Sequence, residues 1–385
     1  MISSKAFFIF LLSFLISFLH SFEIFSQQNI NSGFFYSGNN RTYILHVPAN
    51  YSGMEKVPLV LNLHGYGSSA NQQQFYSMMD IISDTAGFLV VYPDAVNSVW
   101  DTVFSNSTIN DVGFLSVLID TISKNYNIDS SRVYSTGLSM GGFMTYRLGC
   151  ELSNRIAAIA SVAGPVITPF FNEYNLTQPI PVLHIHGTAD STIFYNGGGI
   201  WPSVETLINY FVNKNNCPLP DSTIIPNINN SDSSSAIKYH YGFCDDSSEV
   251  IFYKILNGGH TWPGGLINIP SLGNTNRDFN ASLEIWDFFK RHRLQVPATG
   301  NKNVGFNEKG FQVYPNPNNG VFKLNVSDKF LGNHLTFYNL FGTAVFEGVI
   351  KYPEIDIDIS GQPEGIYFFQ FSAGNHIIYS QKIIR

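Results

Sequence analysis

Charge is scarce in this chain. Only 13% of its 385 residues are Asp, Glu, Lys or Arg, the formal net charge is -7, and no Lys/Arg run or basic stripe occurs. Nucleic acid is therefore not the expected partner, and an acidic balance this mild names no substrate. Cysteine is limited to Cys150, Cys217 and Cys244. No GxGxxG or P-loop fingerprint precedes a helix, so no nucleotide cofactor is expected. No internal repeat is visible, and no apolar run after the first twenty residues is long enough to span a bilayer. What the chain does have is apolar bulk: 44% hydrophobic residues over 385 positions support a sizeable core and a prior of two folded units.

Residues 1–26 read as a secretory signal peptide. Lys5 precedes an apolar run from Ala6 to Leu19, and small and polar residues lead to Ser26-Gln27. Cleavage is expected near Ser26, with an uncleaved anchor as the alternative. Export permits disulfides. Cys217 and Cys244 flank a polar, Asn/Ser-rich excursion that a bridge would pin, and Cys150 falls on an apolar helix face as a buried free thiol. A catalytic cysteine ranks below these readings because none sits at a strand-to-helix turn.

From about residue 27 to 293, short apolar runs alternate with helical stretches, which predicts an α/β unit with a mostly parallel sheet covered by helices. Strands are expected at Thr42–Val47, Leu59–Leu63, Phe88–Tyr92, Val133–Thr136, Ile156–Val162, Val182–Ile185 and Val250–Ile255. Helices are expected at Asp111–Tyr126, Met140–Leu152, Ser203–Asn215 and Asn280–His292. Residues 294–310 read as a linker without periodicity. Residues 311–385 show short alternating strands and no helix, which predicts a small all-β sandwich.

Three turns carry chemistry. Ser139, in Gly-Leu-Ser-Met-Gly, follows one strand and opens a helix; such a turn lifts a serine hydroxyl clear of the sheet. Asp190 follows the strand Val182–Ile185. His260 follows Val250–Ile255 in a glycine-flanked loop, and is the one histidine after both partners on a late strand end. A serine hydroxyl needs a histidine to take its proton and a carboxylate to orient that histidine. The chain order Ser, Asp, His is that of α/β-hydrolases. Activity is expected to fall as His260 becomes protonated. The backbone N–H groups of Met140 and Tyr66 are the expected oxyanion donors. Asp245 and Asp246 are weaker candidates for the acid, being in a polar loop beside Cys244. His64 and His186 are read as loop-shaping. Trp100, Tyr195, Trp201 and Trp262 lie on strand-end loops and are candidate walls of an apolar pocket, with ordinary packing as the alternative. No metal site is expected: His184 and His186 are read as facing opposite sides of their strand.

With those residues in place, the segment from about Phe34 to Arg293 resembles the secreted poly(3-hydroxybutyrate) depolymerase and feruloyl esterase family of α/β-hydrolases. The matching strings are LHGYGSSANQ, VVYPDAVNSVW, RVYSTGLSMGGFMTYRLGCEL, RIAAIASVAG, HIHGTAD and GGHTWPGG. The resemblance implies ester hydrolysis with Ser139 as nucleophile, His260 as base and Asp190 as orienting acid, no cofactor, and a Cys217–Cys244 bridge. One departure is Tyr66, where the family commonly has a small residue or cysteine. Residues from about Phe311 to Arg385 resemble a type IX secretion C-terminal sorting domain, through VYPNPNNGVFKLNV, LTFYNLFGTAVFEG, GIYFFQF and the ending QKIIR. This implies contact with that export machinery and a secreted or cell-surface location; a carbohydrate-binding module is the rival.

The expected activity is therefore a secreted serine esterase acting on feruloyl or acetyl esters of plant polysaccharide. A depolymerase of poly(3-hydroxybutyrate) or another short polyester is the alternative. A non-catalytic surface-binding protein on the same scaffold is the alternative of another class.

Overall fold

Strands that are apolar on both faces can be buried only in a sheet covered on both sides. The computed structural model shows such a sheet; it describes residues 27–103, 109–167, 178–294, 311–314, 320–326, 331–339, 341–373 and 376–385. The expected signal peptide and nearly all of the expected linker lie outside the described residues. The chain divides into two compact units between Leu294 and Gln295. Leu294, expected to open the linker, closes the first unit, where its N–H donates to Ser131 O at 2.7 Å.

The first unit opens with β1 (Gln28–Tyr36) and β2 (Asn39–Val47), followed by β3 (Val57–Leu63), α1 (Ala70–Ser77), α2 (Met79–Ala86) and β4 (Leu89–Pro93). Next come α3 (Asp111–Asn125), β5 (Ile128–Leu138), α4 (Met140–Glu151), β6 (Ala158–Val162) and β7 (Val182–Gly187). It ends with α5 (Val204–Lys214), β8 (Asp221–Ile224), β9 (Ser235–Tyr241), β10 (Val250–Leu256) and α6 (Ala281–Phe289). The strands form one ten-stranded sheet in the order β1-β2-β4-β3-β5-β6-β7-β10-β9-β8. Its six central strands are parallel, and two antiparallel strands flank them on each side.

Alternation along each strand divides the core between the two faces. Leu59, Leu61 and Leu63 of β3 join α3, α4 and α5 residues such as Phe114, Met144 and Phe211. Val60 faces the other way, toward the cluster that holds Met79 of α2 and Ile285, Phe288 and Phe289 of α6. Caps fix where helices begin: Asn110 accepts from Gly113 N at 2.8 Å, Ser203 from Thr206 N at 3.1 Å, and Asn280 from Leu283 N at 3.0 Å.

Neither α1 nor α2 was anticipated. The buried positions of α1 are Ala70, Gln73 and Ser77, two of them polar. Gln73 Nε2 donates to Asn62 Oδ1 at 2.8 Å, and Asn62 Nδ2 donates to Ser77 Oγ at 2.9 Å. A helix anchored by a buried polar network carries little hydrophobic periodicity to read.

The second unit is all-β, with two antiparallel sheets. One contains β11 (Phe311–Tyr314), β12 (Val321–Val326) and β15 (Glu354–Asp358); the other contains β13 (His334–Asn339), β14 (Ala344–Val349), β16 (Ile366–Ala373) and β17 (His376–Ile384). Phe322, Leu324 and Ile357 of the first sheet and Leu335, Phe337 and Phe369 of the second share one buried core, which makes this unit a sandwich.

Candidate active site

The chain goes from β3 outward to β4 on one side, then returns to place β5 on the other. Ligands of open α/β sheets bind at the carboxyl edge beside such a reversal. Two of the sequence-selected turns meet there: His64-Gly65-Tyr66 after β3, and Ser139 after β5.

Ser139 has φ 54° and ψ -121°, a left-handed conformation that costs a non-glycine residue about 1–3 kcal/mol. Its N–H donates to Val162 O at 2.8 Å, and its carbonyl accepts from Gly142 N and Phe143 N at 2.8 and 3.1 Å. These bonds hold the strained turn between β6 and the first turn of α4. Glycine permits the close packing: a Cβ on Gly137 would stand 2.6 Å from Gly141 C and 2.7 Å from Leu63 O.

The β3 loop presses against the serine. A Cβ on Gly65 would be 3.4 Å from Ser139 Cβ. His64 is fully buried; its Nδ1 lies 2.7 Å from Gly65 O and its Nε2 lies 3.1 Å from Ala95 N. The carbonyl can only accept and the amide can only donate, so Nδ1 carries the proton and the ring is neutral. Burial also lowers the His64 pKa. Among the described residues, neither the Tyr66 N–H nor the Met140 N–H has a protein acceptor. The Tyr66 side chain itself is exposed.

Parallel pairing of β7 with β10 brings their following loops together. His260 Nδ1 lies 2.7 Å from Asp190 Oδ2, with both residues only 4% exposed. Oδ1 of Asp190 accepts from Thr192 N at 2.9 Å and Ile193 N at 2.8 Å. The carboxylate that pairs with His260 is thus Asp190, not Asp245 or Asp246. Among the described residues no hydrogen bond joins Ser139 Oγ to His260; in resting hydrolases this contact is often long and tightens on the reaction path.

Of the four aromatic candidates, Trp201 alone is partly exposed. It is half-buried against Phe143, with ring centroids 6.4 Å apart, in an apolar cluster that includes Ile167 and Ile193. Phe143 lies one helical turn after Ser139, and Ile193 holds the Asp190 carboxylate. Among the described residues the buried indole N–H of Trp201 has no acceptor.

The other aromatic candidates are corrected. Trp100 is 2% exposed and donates through Nε1 to His64 O at 2.9 Å, bracing the β3 loop from behind. Trp262 is 1% exposed, and its Nε1 donates to Ser282 Oγ at 3.1 Å. Tyr195 is buried too, with its hydroxyl donating to Glu205 Oε1 at 3.1 Å. In each case a large ring packs inward and satisfies its polar atom, as buried Trp and Tyr must.

Two further expectations change. His184 and His186 share one face of β7, as period two requires of residues two apart, and their rings stack with centroids 5.3 Å apart. Cys217 and Cys244 form a disulfide, whereas Cys150 is free and half-buried rather than fully buried, with its thiol pKa raised by desolvation.

Fold and turn chemistry together define an α/β-hydrolase. Residues 41–173 match the family model described as Esterase PHB depolymerase, and residues 312–385 match the secretion system C-terminal sorting domain. Over residues 41–173 the chain is similar to the Esterase PHB depolymerase family, and it carries a C-terminal sorting domain of the type IX secretion system, which marks it for secretion or the cell surface. It is 30% identical over 272 residues to the bifunctional acetylxylan esterase/xylanase XynS20E of Neocallimastix patriciarum, covering 70% of this chain but only 36% of that protein. Against a probable feruloyl esterase C of Aspergillus terreus it is 28% identical over 229 residues, covering 58% of this chain and 77% of the relative. The fold is shared with an acetyl xylan esterase from Aspergillus awamori, with TM-score 0.51 at 16% identity over 69% of this chain and 99% of that one. Among the described residues no helix is long and apolar enough to cross a membrane.

Proposed function

We propose that this esterase works through a covalent acyl-enzyme formed on Ser139. Its hydroxyl attacks the ester carbonyl while His260 takes the proton through Nε2, and Asp190 orients the imidazole and stabilises its charged form. The oxygen of the tetrahedral intermediate is held by the N–H groups of Tyr66 and Met140. Collapse expels the alcohol, which takes the proton from His260. Water then attacks the acyl-enzyme, again with His260 as base, and releases the acid. The observation that carries this reading is the Asp190–His260 bond at 2.7 Å, on the same sheet edge as a serine held at φ 54°.

The substrates we assign are feruloyl or acetyl esters on plant polysaccharide. Support comes from the relatives named above and from Trp201, a partly exposed ring packed on the apolar cluster of Phe143, Ile167 and Ile193, against which an aromatic acyl group can rest. Short polyester is the second reading, favoured by the family description itself. Purified protein should be offered a feruloylated arabinoxylan fragment, acetylated xylan and 3-hydroxybutyrate oligomers in parallel. Ferulate or acetate release at the highest kcat/KM is the expected result. Preference for the hydroxybutyrate oligomers would overturn the assignment in favour of the polyester.

A further inference from the structure

Behind the Asp190 turn lies a chain of buried polar groups with no part in the mechanism above. Tyr146 Oη lies 2.9 Å from His184 Nδ1, His184 Nε2 lies 3.2 Å from His186 Nδ1, and His186 Nε2 lies 2.9 Å from Ile193 O. His186 Nε2 is also 3.4 Å from Asp190 Oδ2. Tyr146 and His184 are fully buried and His186 is 1% exposed.

The end of the chain fixes its direction. A carbonyl can only accept, so His186 Nε2 carries a proton. Burial lowers the pKa of both imidazoles, and each is penalised by another imidazole nearby, His186 for His184 and His260 for His186. The Asp190 carboxylate and the Ile193 carbonyl favour a charged His186, but burial outweighs them, so both rings are neutral at pH 7. His186 Nδ1 must then accept from His184 Nε2–H, and His184 Nδ1 must accept from the Tyr146 hydroxyl. Every donor points the same way, from α4 toward the Asp190 turn. The groups facing His186 are Asp190, His260, His184 and the ring of Tyr195, whose centroid is 6.1 Å away.

We infer that His186 is a positioning residue for the Asp190 carboxylate. This rests on the serine-esterase reading above. The Nε2–H anchors Ile193, whose own N–H holds Asp190 Oδ1, and it presents a second N–H dipole to Oδ2, the oxygen that binds His260. Tyr146 and His184 set the one tautomer that can do this; the opposite tautomer would aim a lone pair at Ile193 O and at the carboxylate. The relay also ties the helix that begins at Ser139 to the turn that carries Asp190, so nucleophile and acid keep a common frame.

The test uses p-nitrophenyl acetate with the full chain. His186→Leu is expected to lower kcat ten- to a hundredfold with KM within threefold. His186→Gln, whose amide can place an N–H near the Nε2 position, is expected to recover kcat to within fivefold of wild type. A His186→Leu kcat within twofold of wild type, a change confined to KM, or equal impairment of the Leu and Gln variants would each overturn the assignment. Ser139→Ala in the same assay separates the two levels. If it keeps activity, the serine reading falls; if it is inactive while His186→Leu is near normal, only the positioning role falls. Should His186→Leu not fold, nitrogen-15 NMR of the wild-type imidazoles decides. Both rings should be Nε2-protonated and neutral at pH 7, and an Nδ1-protonated or charged His186 at that pH overturns the proposal.

Discussion

His260 and Asp190, seventy residues apart in the chain, are joined through Nδ1 and Oδ2 at 2.7 Å. The other carboxylate oxygen is held by two backbone N–H groups, so the acid has one orientation. Replacing Asp190 with Asn would put an amide N–H where Nδ1–H must donate and favour the wrong imidazole tautomer. Asp190→Asn should fold normally and lose about 10³–10⁴-fold in kcat, measured on a soluble aryl ester. Loss of less than tenfold would remove Asp190 from its assigned role.

Trp201 has a buried indole N–H without an acceptor among the described residues, an arrangement that costs about 1–3 kcal/mol. Trp201→Phe removes that donor and keeps an aromatic ring on Phe143. The free protein should therefore gain about 1 kcal/mol of stability at most, or roughly 2–4 °C in Tm. If the N–H is held open for a substrate oxygen, KM for a feruloyl ester should rise severalfold while kcat changes little. Calorimetry and a kinetic series on one preparation check both arms. A marked loss of Tm with KM unchanged would assign the indole to packing alone.

Glu249 accepts from His292 Nε2 at 2.8 Å, Arg291 Nη2 at 2.5 Å and His240 Nε2 at 2.6 Å. Burial alone would raise its pKa, yet the His292 and Arg291 hydrogen bonds and the Arg291 charge outweigh burial and bring it from an ordinary 4.5 to about 2. A carboxylate depressed in the folded state stabilises the fold above its unfolded pKa, and that contribution is lost as pH falls from about 4.5 toward 2. Arg291 is partly exposed, so solvent screening limits the contribution to about 1–2 kcal/mol. Chemical denaturation of Glu249→Gln should show that deficit at pH 7, and the two curves should converge between pH 4.5 and 2. A deficit that does not change across this window would show that the Glu249 charge is not its source.

The Cys217–Cys244 bridge closes a loop with a sequence separation of 27. By loop-closure entropy it contributes about 3–4 kcal/mol. The double substitution Cys217→Ser, Cys244→Ser should lower stability by that order while leaving kcat near wild type, since Cys244 precedes β10 whereas His260 follows it, at the other end of that strand. Equal kcat loss and stability loss would instead tie this loop to the active edge.

Much of this was legible in the sequence, and the residues show why. Ser139, Asp190 and His260 each follow a strand whose apolar run is readable, so the turn and its place in the sheet came together. The failures share a physical cause: hydropathy does not say where a ring points. Trp100 and Trp262 sit near strand ends like pocket residues, yet each turns inward to satisfy its N–H on His64 O and Ser282 Oγ. α1 hid because its buried face is polar. β8 hid because its four residues are all exposed. The His184–His186 relay could have been found from their spacing alone, since residues two apart on a strand share a face.

The central claim is that Ser139 is the nucleophile, and covalent trapping tests it most directly. The protein should be incubated with a fluorophosphonate probe, and the intact mass and the modified peptide then determined. One adduct per chain, mapped to Ser139 and absent from a folded Ser139→Ala variant, is the expected result. Wild-type protein that takes up no probe, or a Ser139→Ala variant labelled to the same extent, would contradict it.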